Sequence, residues 1–187
     1  MVPTLQTQRL YLRRLDLSDA AAVQELFSHW EIVRFLNAKI PWPYPADGAI
    51  SFIRDHALPA MDSKIEWHWS IRLKTWPKRL IGVISLMDDP VDNRAYWIGL
   101  PWQCKGYVSE ACNMVTDFWF EKLDRAILRA SNASENFPSR CIALRDEMRH
   151  SGKSTRSYVC GRLPTDLWEI TREEWRARRS RAQVTQG

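Results

Sequence analysis

No apolar stretch in the chain approaches the roughly 20 residues that a membrane-crossing helix needs, so a helical span is excluded. The opening, Met1-Val2-Pro3-Thr4-Leu5-Gln6-Thr7, lacks the basic-then-apolar order of a secretory leader. Internal repeats and low-complexity tracts are missing too, which removes solenoids and disordered scaffolds. Cysteine is sparse: four residues, at 104, 112, 141 and 160, form no C-x-x-C pair and have no histidine cluster beside them. Zinc-finger spacing and a disulfide framework are therefore both excluded, and reduced thiols in a cytoplasm fit best. The histidines at 29, 56, 68 and 150 show no i, i+4 pair that would bind a metal. The sequon Asn132-Ala133-Ser134 would matter only in a secreted protein. The expectation is a soluble cytoplasmic protein with no metal and no membrane partner.

What is present is an ordinary globular balance, 187 residues with 45% hydrophobic and 26% charged. That length suits one domain over 1–187 with a real core. The net charge is +5. Much of it sits in a basic tail from about 176 to 187, where Arg176, Arg178, Arg179 and Arg181 cluster. Such an end can bind RNA or a ribosome; a solvated helix end is the plainer reading, and nucleic acid is not expected. Ten tryptophans are many for this length. Those in Trp67-His68-Trp69 and Tyr96-Trp97-Ile98 read as strand and core residues.

Arg9 to Arg13 alternates apolar and charged positions, the period of a half-buried strand. Ser18 or Asp19 can cap a helix to about Trp30. The prolines at 41, 43 and 45 force a loop over 41–47, and Asp47 can cap a second helix to about Ala60. Trp67–Leu73 and Leu80–Leu86 read as strands joined by a turn at Trp76-Pro77-Lys78, and Arg94–Leu100 as a third strand of the same meander, closed by Pro101. Ser109 then caps an amphipathic helix from about Glu110 to Lys122. Ala126–Arg129 is a short strand and Pro138 to about His150 a further helix. Ser157–Cys160 and Leu167–Thr171 are closing strands before a last turn at Arg172–Arg178. The order predicts an α/β domain with one mixed, mostly antiparallel sheet flanked by helices.

The informative stretch runs from Ile98 to Ala111: a strand, a tight loop and a helix start. Such a loop points several backbone N–H groups at one anion, and the helix dipole adds to them. Gly106 lets the backbone approach a phosphate or take positive φ, and Lys105 adds a point charge. The chemistry alone suggests a pyrophosphate site.

Gln103-x-x-Gly106-x-Val108 resembles the Q/R-x-x-G-x-G/A motif of GNAT-superfamily N-acetyltransferases, and the wording from Trp97 to Ala111 is similar to the RimJ/RimL-like branch. So are the opening Thr7–Ala20 and the closing Trp168–Trp175, so the resemblance spans essentially the whole chain. It implies a sheet splayed between the fourth strand, Arg94–Leu100, and the fifth, with acetyl-CoA as cosubstrate and no metal. It places the pyrophosphate at Gln103, Cys104, Lys105, Gly106, Tyr107, Val108 and Ser109. The pantetheine would lie on the backbone of Ile98 and Leu100, with Asn136 and Ser139 near it. Several positions depart from the family pattern. Val108 replaces a small residue, and Cys104 stands where glycine is frequent. Glu147 replaces a helix-ending glycine, which extends the helix towards Gly152. Ala143 replaces a tyrosine that serves as general acid in many relatives.

The implied reaction is direct attack of a primary amine, on a protein N-terminus or a small molecule, on the thioester. Ser139 is the candidate general acid, with holding the pantetheine or capping its helix as its other reading. Glu66, Asp88, Asp89 and Asp92 are candidates for the base, and none is singled out; Glu110 at a helix start reads as a dipole or pairing residue. The acceptor is expected against the first two helices and the proline-rich loop, with Trp42, Tyr44 and the last strands. A catalytically weak CoA-binding module and a ribosome- or RNA-associated protein are the alternatives, and a homodimer is the remaining partnership considered.

Overall fold

In the computed structural model of the protein, which describes residues 2–184, the alternation at the start of the chain becomes a strand. Leu10 and Leu12 are fully buried, and they anchor β2 (Leu10–Arg14) against β3 (Glu66–Leu73). With β1 (Leu5–Gln6), β4 (Trp76–Met87) and β5 (Arg94–Ile98) these form a five-stranded antiparallel sheet in sequence order. A second antiparallel sheet has the order β6 (Ile127–Ala133), β8 (Gly161–Thr171), β7 (Arg149–Tyr158). One face of the first sheet carries α1 (Ala20–Phe27), α3 (Gly48–Phe52), a π-helical turn (Ile53–Ala57) and α4 (Leu58–Asp62), with the short α2 (Trp30–Val33) between them in the chain. The other face packs on α5 (Tyr107–Glu121), where Trp69 meets Phe118 edge-on at 5.4 Å between ring centroids. Among the described residues no helix is long and apolar enough to cross a membrane.

The two sheets meet where β5 begins. Asn93 N donates to Arg129 O at 2.8 Å, and Arg129 N donates to Asn93 Oδ1 at 2.7 Å. Beyond that point β5 and β6 form no ladder. The expected splay between the fourth and fifth strands of the motif is thus present, and it divides the anticipated single sheet into two. Gly82 lets β5 lie close to β4, since a Cβ there would fall 2.4 Å from the carbonyl oxygen of Trp97.

Several boundaries differ from expectation, each for a local reason. The β3–β4 turn sits at Lys74 and Thr75, and Trp76-Pro77-Lys78 belongs to β4. Register shifts around Arg72 leave that stretch outside the regular ladder, where a proline without an N–H is tolerated. Arg72 donates to the carbonyls of Pro77 and Lys78. β5 ends at Ile98, and Leu100–Trp102 is a 3₁₀ turn opened by Pro101. α5 starts earlier than predicted, with Gly106 as its N-cap in place of Ser109.

α6 (Phe137–Arg145) stops well short of His150. Glu147 adopts a left-handed φ of 57°, so it ends the helix in the conformation glycine usually supplies. β7 and β8 are far longer than Ser157–Cys160 and Leu167–Thr171 suggested. Most of β7 is exposed, so it has no apolar alternation to betray it. Gly152-Lys153-Ser154-Thr155 lies inside that strand.

The described part of the basic tail is a helix end whose arginines are largely exposed, and what docks it is the residue just before the tail. Arg172–Val184 forms α7, and Trp175 is buried with its indole N–H donating to Asp117 of α5 at 2.7 Å. Arg176 pairs with Glu121 at 2.9 Å, Arg179 with Asp117 at 3.0 Å, and Arg181 with Glu147. These exposed pairs contribute little individually, so the docking rests on Trp175. Trp175→Ala should lower the unfolding free energy by about 3–5 kcal/mol, measured by chemical denaturation. A loss under about 1 kcal/mol would mean that the helix hardly packs on the core.

Candidate active site

The antiparallel register decides which backbone groups face the gap beside β5. Gly99 N donates to Ile81 O, and the pairs Trp97–Val83 and Ala95–Ser85 follow in step. Odd-numbered residues of β5 therefore bond to β4, and the N–H and C=O groups of Tyr96 and Ile98 turn outward. Ile98 is thus where the sequence placed it, at the open edge. Leu100 is displaced from that role: it lies in the 3₁₀ turn, and its carbonyl accepts Gln103 N at 3.3 Å. The Gln103 side chain folds back and donates to Ile98 O at 3.4 Å.

From Gln103 to Gly106 the loop is exposed. Cys104 takes φ 58° and Gly106 φ 77°, two left-handed turns that aim the chain into α5. The first helical amide bonded back is Glu110 N, to Gly106 O at 3.1 Å. The N–H groups of Tyr107, Val108 and Ser109 precede it, and a helix leaves such amides to outside partners. Cys104 occupies a left-handed residue, which explains why glycine is favoured there.

A brace from the start of the chain holds this loop. Arg9 Nε donates to Glu110 Oε2 at 2.6 Å, Arg9 N to Glu110 Oε1 at 2.8 Å, and Thr7 Oγ1 also donates to Glu110. Arg9 further donates to Lys105 O at 3.1 Å and lies 4.6 Å over the Tyr107 ring. Glu110 is thus a pairing residue, as its position suggested. Burial alone would raise its pKa; the hydrogen bonds from Thr7 and Arg9 outweigh this and hold the carboxyl below its usual value.

Across the gap, Asn136 caps α6, its side chain accepting Ser139 N at 3.4 Å. The cap uses the Ser139 amide, and the Ser139 hydroxyl faces the Tyr96 phenol. Tyr96, to which the sequence reading gave no role, is pushed well above its ordinary pKa by burial and by Cys112 beside it. Behind it lies a buried cluster: Arg94 pairs with Asp146 at 2.7 Å and donates to Thr116 Oγ1 at 2.8 Å. The Cys112 thiol is pushed up to about 12 by desolvation.

The turn carboxylates are tied up. Asp88 pairs with Arg125 at 2.5 Å, Asp92 pairs with Arg156, and Asp89 accepts the amides of Val91 and Asp92. Glu66 is different. With His56 and His68 it forms a group whose donor atoms all lie within 4.8 Å of one another, so two histidines that look scattered in the sequence meet. No sequence spacing signals this, because the π-helical turn and β3 bring them together. On the same face as α1, Phe27 packs edge-on against Tyr44 at 4.9 Å and Trp97 at 5.1 Å, and Trp30 lies 5.4 Å from Trp42. Of these, Trp42 and Tyr44 are the two that the sequence names for the acceptor side.

A family model described as an acetyltransferase (GNAT) domain matches residues 9–149. The chain belongs to the GNAT acetyltransferase family. It is 30% identical over 144 residues to the uncharacterized N-acetyltransferase p20 of Bacillus licheniformis, spanning 73% of this chain and 76% of that protein. The same GNAT fold occurs in the ribosomal-protein-S5-alanine acetyltransferase of Vibrio fischeri, with a TM-score of 0.77 at 14% identity over 92% of this chain and 98% of that one. Mycobacterium smegmatis RimJ, in complex with a CoA disulfide, has a TM-score of 0.76 at 17% identity, over 88% and 83%. The protein is an acetyl-CoA-dependent acyltransferase with neighbours of the RimJ/RimL type.

The brace of this GNAT loop is testable by pH. Because the folded Glu110 carboxyl titrates below its unfolded value of about 4.3, its contribution is fully present above that pH and is lost as pH falls through the folded value. Glu110→Gln should therefore lower the melting temperature at pH 7, and the gap from wild type should close below about pH 4. A gap that is constant down to the acid limb would show that the charge of Glu110 plays no part.

Proposed function

We propose that the protein acetylates a primary amine, with the thioester held in the gap beside β5 and the pyrophosphate on the loop from Gln103 to Ser109. The observation that carries this reading is the left-handed Gly106 opening a long helix next to the unpaired edge of β5. Acetyl-CoA supplies the activated acetyl group. The chain supplies the amides of Tyr107, Val108 and Ser109 and the charge of Lys105 for phosphate. Backbone groups of Tyr96 and Ile98 lie along the pantetheine, and an N–H there polarises the carbonyl. Ser139 is the donor in this reading, supported by a hydroxyl that does not cap its helix and that lies against Tyr96. A thiol of pKa about 8.5 leaves readily enough that no strong acid is needed.

The acceptor reading rests on the aromatic surface. Trp30 and Trp42 are about two-fifths exposed, 39% and 41%, and an open rim of that kind suits the end of a polypeptide better than a buried metabolite. A protein N-terminus is therefore the favoured amine. The tail arginines lie in ion pairs with α5 and its neighbours, which argues against a free cationic patch for RNA.

Thiol release from acetyl-CoA, screened over peptide and small-molecule amines, tests the reading: at least one primary amine should drive steady release, and none doing so would overturn it. Wild type should gain on the order of 2.7 kcal/mol at a hundredfold excess of acetyl-CoA over Kd, seen as a rise in melting temperature. Gly106→Glu should lose almost all of that rise, since it sets a side chain in a left-handed turn and a negative charge against phosphate. Equal shifts in both proteins would place CoA elsewhere.

Ser139→Ala should lower kcat by roughly 100-fold while leaving the acetyl-CoA shift intact. An unchanged kcat with weaker binding would return Ser139 to a positioning part.

A further inference from the structure

Acetylation leaves one requirement without a residue, because an ammonium must shed a proton before it can attack. We propose that Ser85, His68, Glu66 and His56 form a proton-exit relay from the acceptor face of β5 to solvent. The proposal rests on the acetyltransferase reading and adds the accepting side of its proton chemistry.

The row begins at the gap. His68 stands opposite Ser85 in the β3–β4 ladder, and Ser85 stands opposite Ala95 in the β4–β5 ladder. All three side chains therefore share one sheet face, at steps of about 5 Å from strand to strand. Ala95, on the strand that borders the gap, is exposed and has no group to take a proton. Ser85 and His68 beside it are buried, at 8% and 3% exposure.

From there the hydrogen bonds run without a break. Ser85 Oγ lies 2.6 Å from His68 Nδ1, His68 Nε2 lies 2.6 Å from Glu66 Oε2, and Glu66 Oε2 lies 3.0 Å from His56 Nε2. The His56 side chain is 55% exposed, so the chain ends in water. The Phe52 ring stacks on His56 at 5.4 Å and meets His68 edge-on at 5.7 Å, closing the middle of the path. The π-helical turn adds a residue to the helix and turns His56 towards Glu66.

The titratable groups facing His68 are Glu66 on its own strand and His56 from the π-helical turn; β4 offers the Ser85 hydroxyl and α3 the Phe52 ring. Burial alone would raise the Glu66 pKa, but hydrogen bonding and charge from His68, then His56, hold it below the usual carboxylate value. Glu66 is accordingly anionic at neutral pH, an acceptor between the two imidazoles.

The step balances. An N–H bond of the ammonium breaks and its proton passes to Ser85 Oγ, directly or through one water. The hydroxyl proton of Ser85 moves to His68 Nδ1. His68 then gives its Nε2 proton to Glu66 Oε2, Glu66 passes it to His56 Nε2, and His56 releases its Nδ1 proton to solvent. Nothing is oxidised, and the amine is left neutral.

The test uses the full chain and the amine that gives the fastest thiol release. Ser85→Ala should lower kcat/KM by roughly 100-fold at pH values where the amine is protonated. The deficit should shrink as pH rises, and the acetyl-CoA melting shift should be unchanged. Ser85→Thr, which keeps the hydroxyl, should recover most of the loss. His56→Ala should be slow in dilute buffer and recover when imidazole is added, which a merely structural role would not produce. A Ser85→Ala enzyme with the wild-type pH profile, or with the same loss at every pH, overturns the relay and leaves acetyl transfer standing. Wild type that releases no thiol with any amine removes both readings.

Discussion

The buried ion pair between Arg94 and Asp146 sets the geometry on which the site depends. Arg94 begins the strand that borders the gap, Asp146 follows the helix that carries Ser139, and both side chains are at most 2% exposed. Two charges withdrawn from water are stable only together; removing one partner of such a pair typically leaves a deficit of about 3–5 kcal/mol. The pair therefore fixes the distance from β5 to α6 more firmly than apolar contact alone could. Without a neighbouring strand along most of its outer edge, β5 has few other restraints on that side. An open edge is ordinarily a liability, and here it is backed by a charged pin, Thr116 and the Met148 sulfur.

Two departures from the family pattern, at Cys104 and Glu147, have the same physical answer. Both residues adopt the left-handed backbone that glycine favours, at φ 58° and 57°. The fold thus keeps its turns and accepts local strain, of the order of 1–2 kcal/mol for a residue with a Cβ. At Glu147 the side chain has a compensating contact with Arg181 of α7. The sequence reading treated Glu147 as a reason for the helix to continue, because a substituted glycine looks like a missing stop signal. The stop is made by the helix's own last carbonyls: Met148 N bonds to Ala143 O and Glu147 N to Leu144 O, a pattern that needs the left-handed residue between them and not its being glycine.

Much of the fold was legible because its strands bury one face or both. Leu10 and Leu12, Trp67 to Ile71 and Leu80 to Leu86 carry the apolar content that marks a sheet packed on helices. The β7–β8 hairpin was only partly visible, since its length comes from pairing with a neighbour and not from its own hydrophobicity. For the candidate site, the turn from Gln103 into α5 could be read from glycine, a basic residue and a helix start. Tyr96, Arg9 and the His56–Glu66–His68 group could not, because each acts across two elements that lie far apart in the chain. Leu100 was misplaced through a boundary error of two residues, enough to move it from the strand edge into a turn.

The brace between Arg9 and Glu110 also bears on how the protein comes into being. The two residues are 101 positions apart, and contacts of such long range form late, once loop-closure entropy has been overcome. A nascent chain that has not yet exposed Glu110 outside the ribosome lacks this brace on the loop before the fifth helix. The loop is thus braced only when the fifth helix has docked on the first strands, so its order is a property of the nearly finished chain.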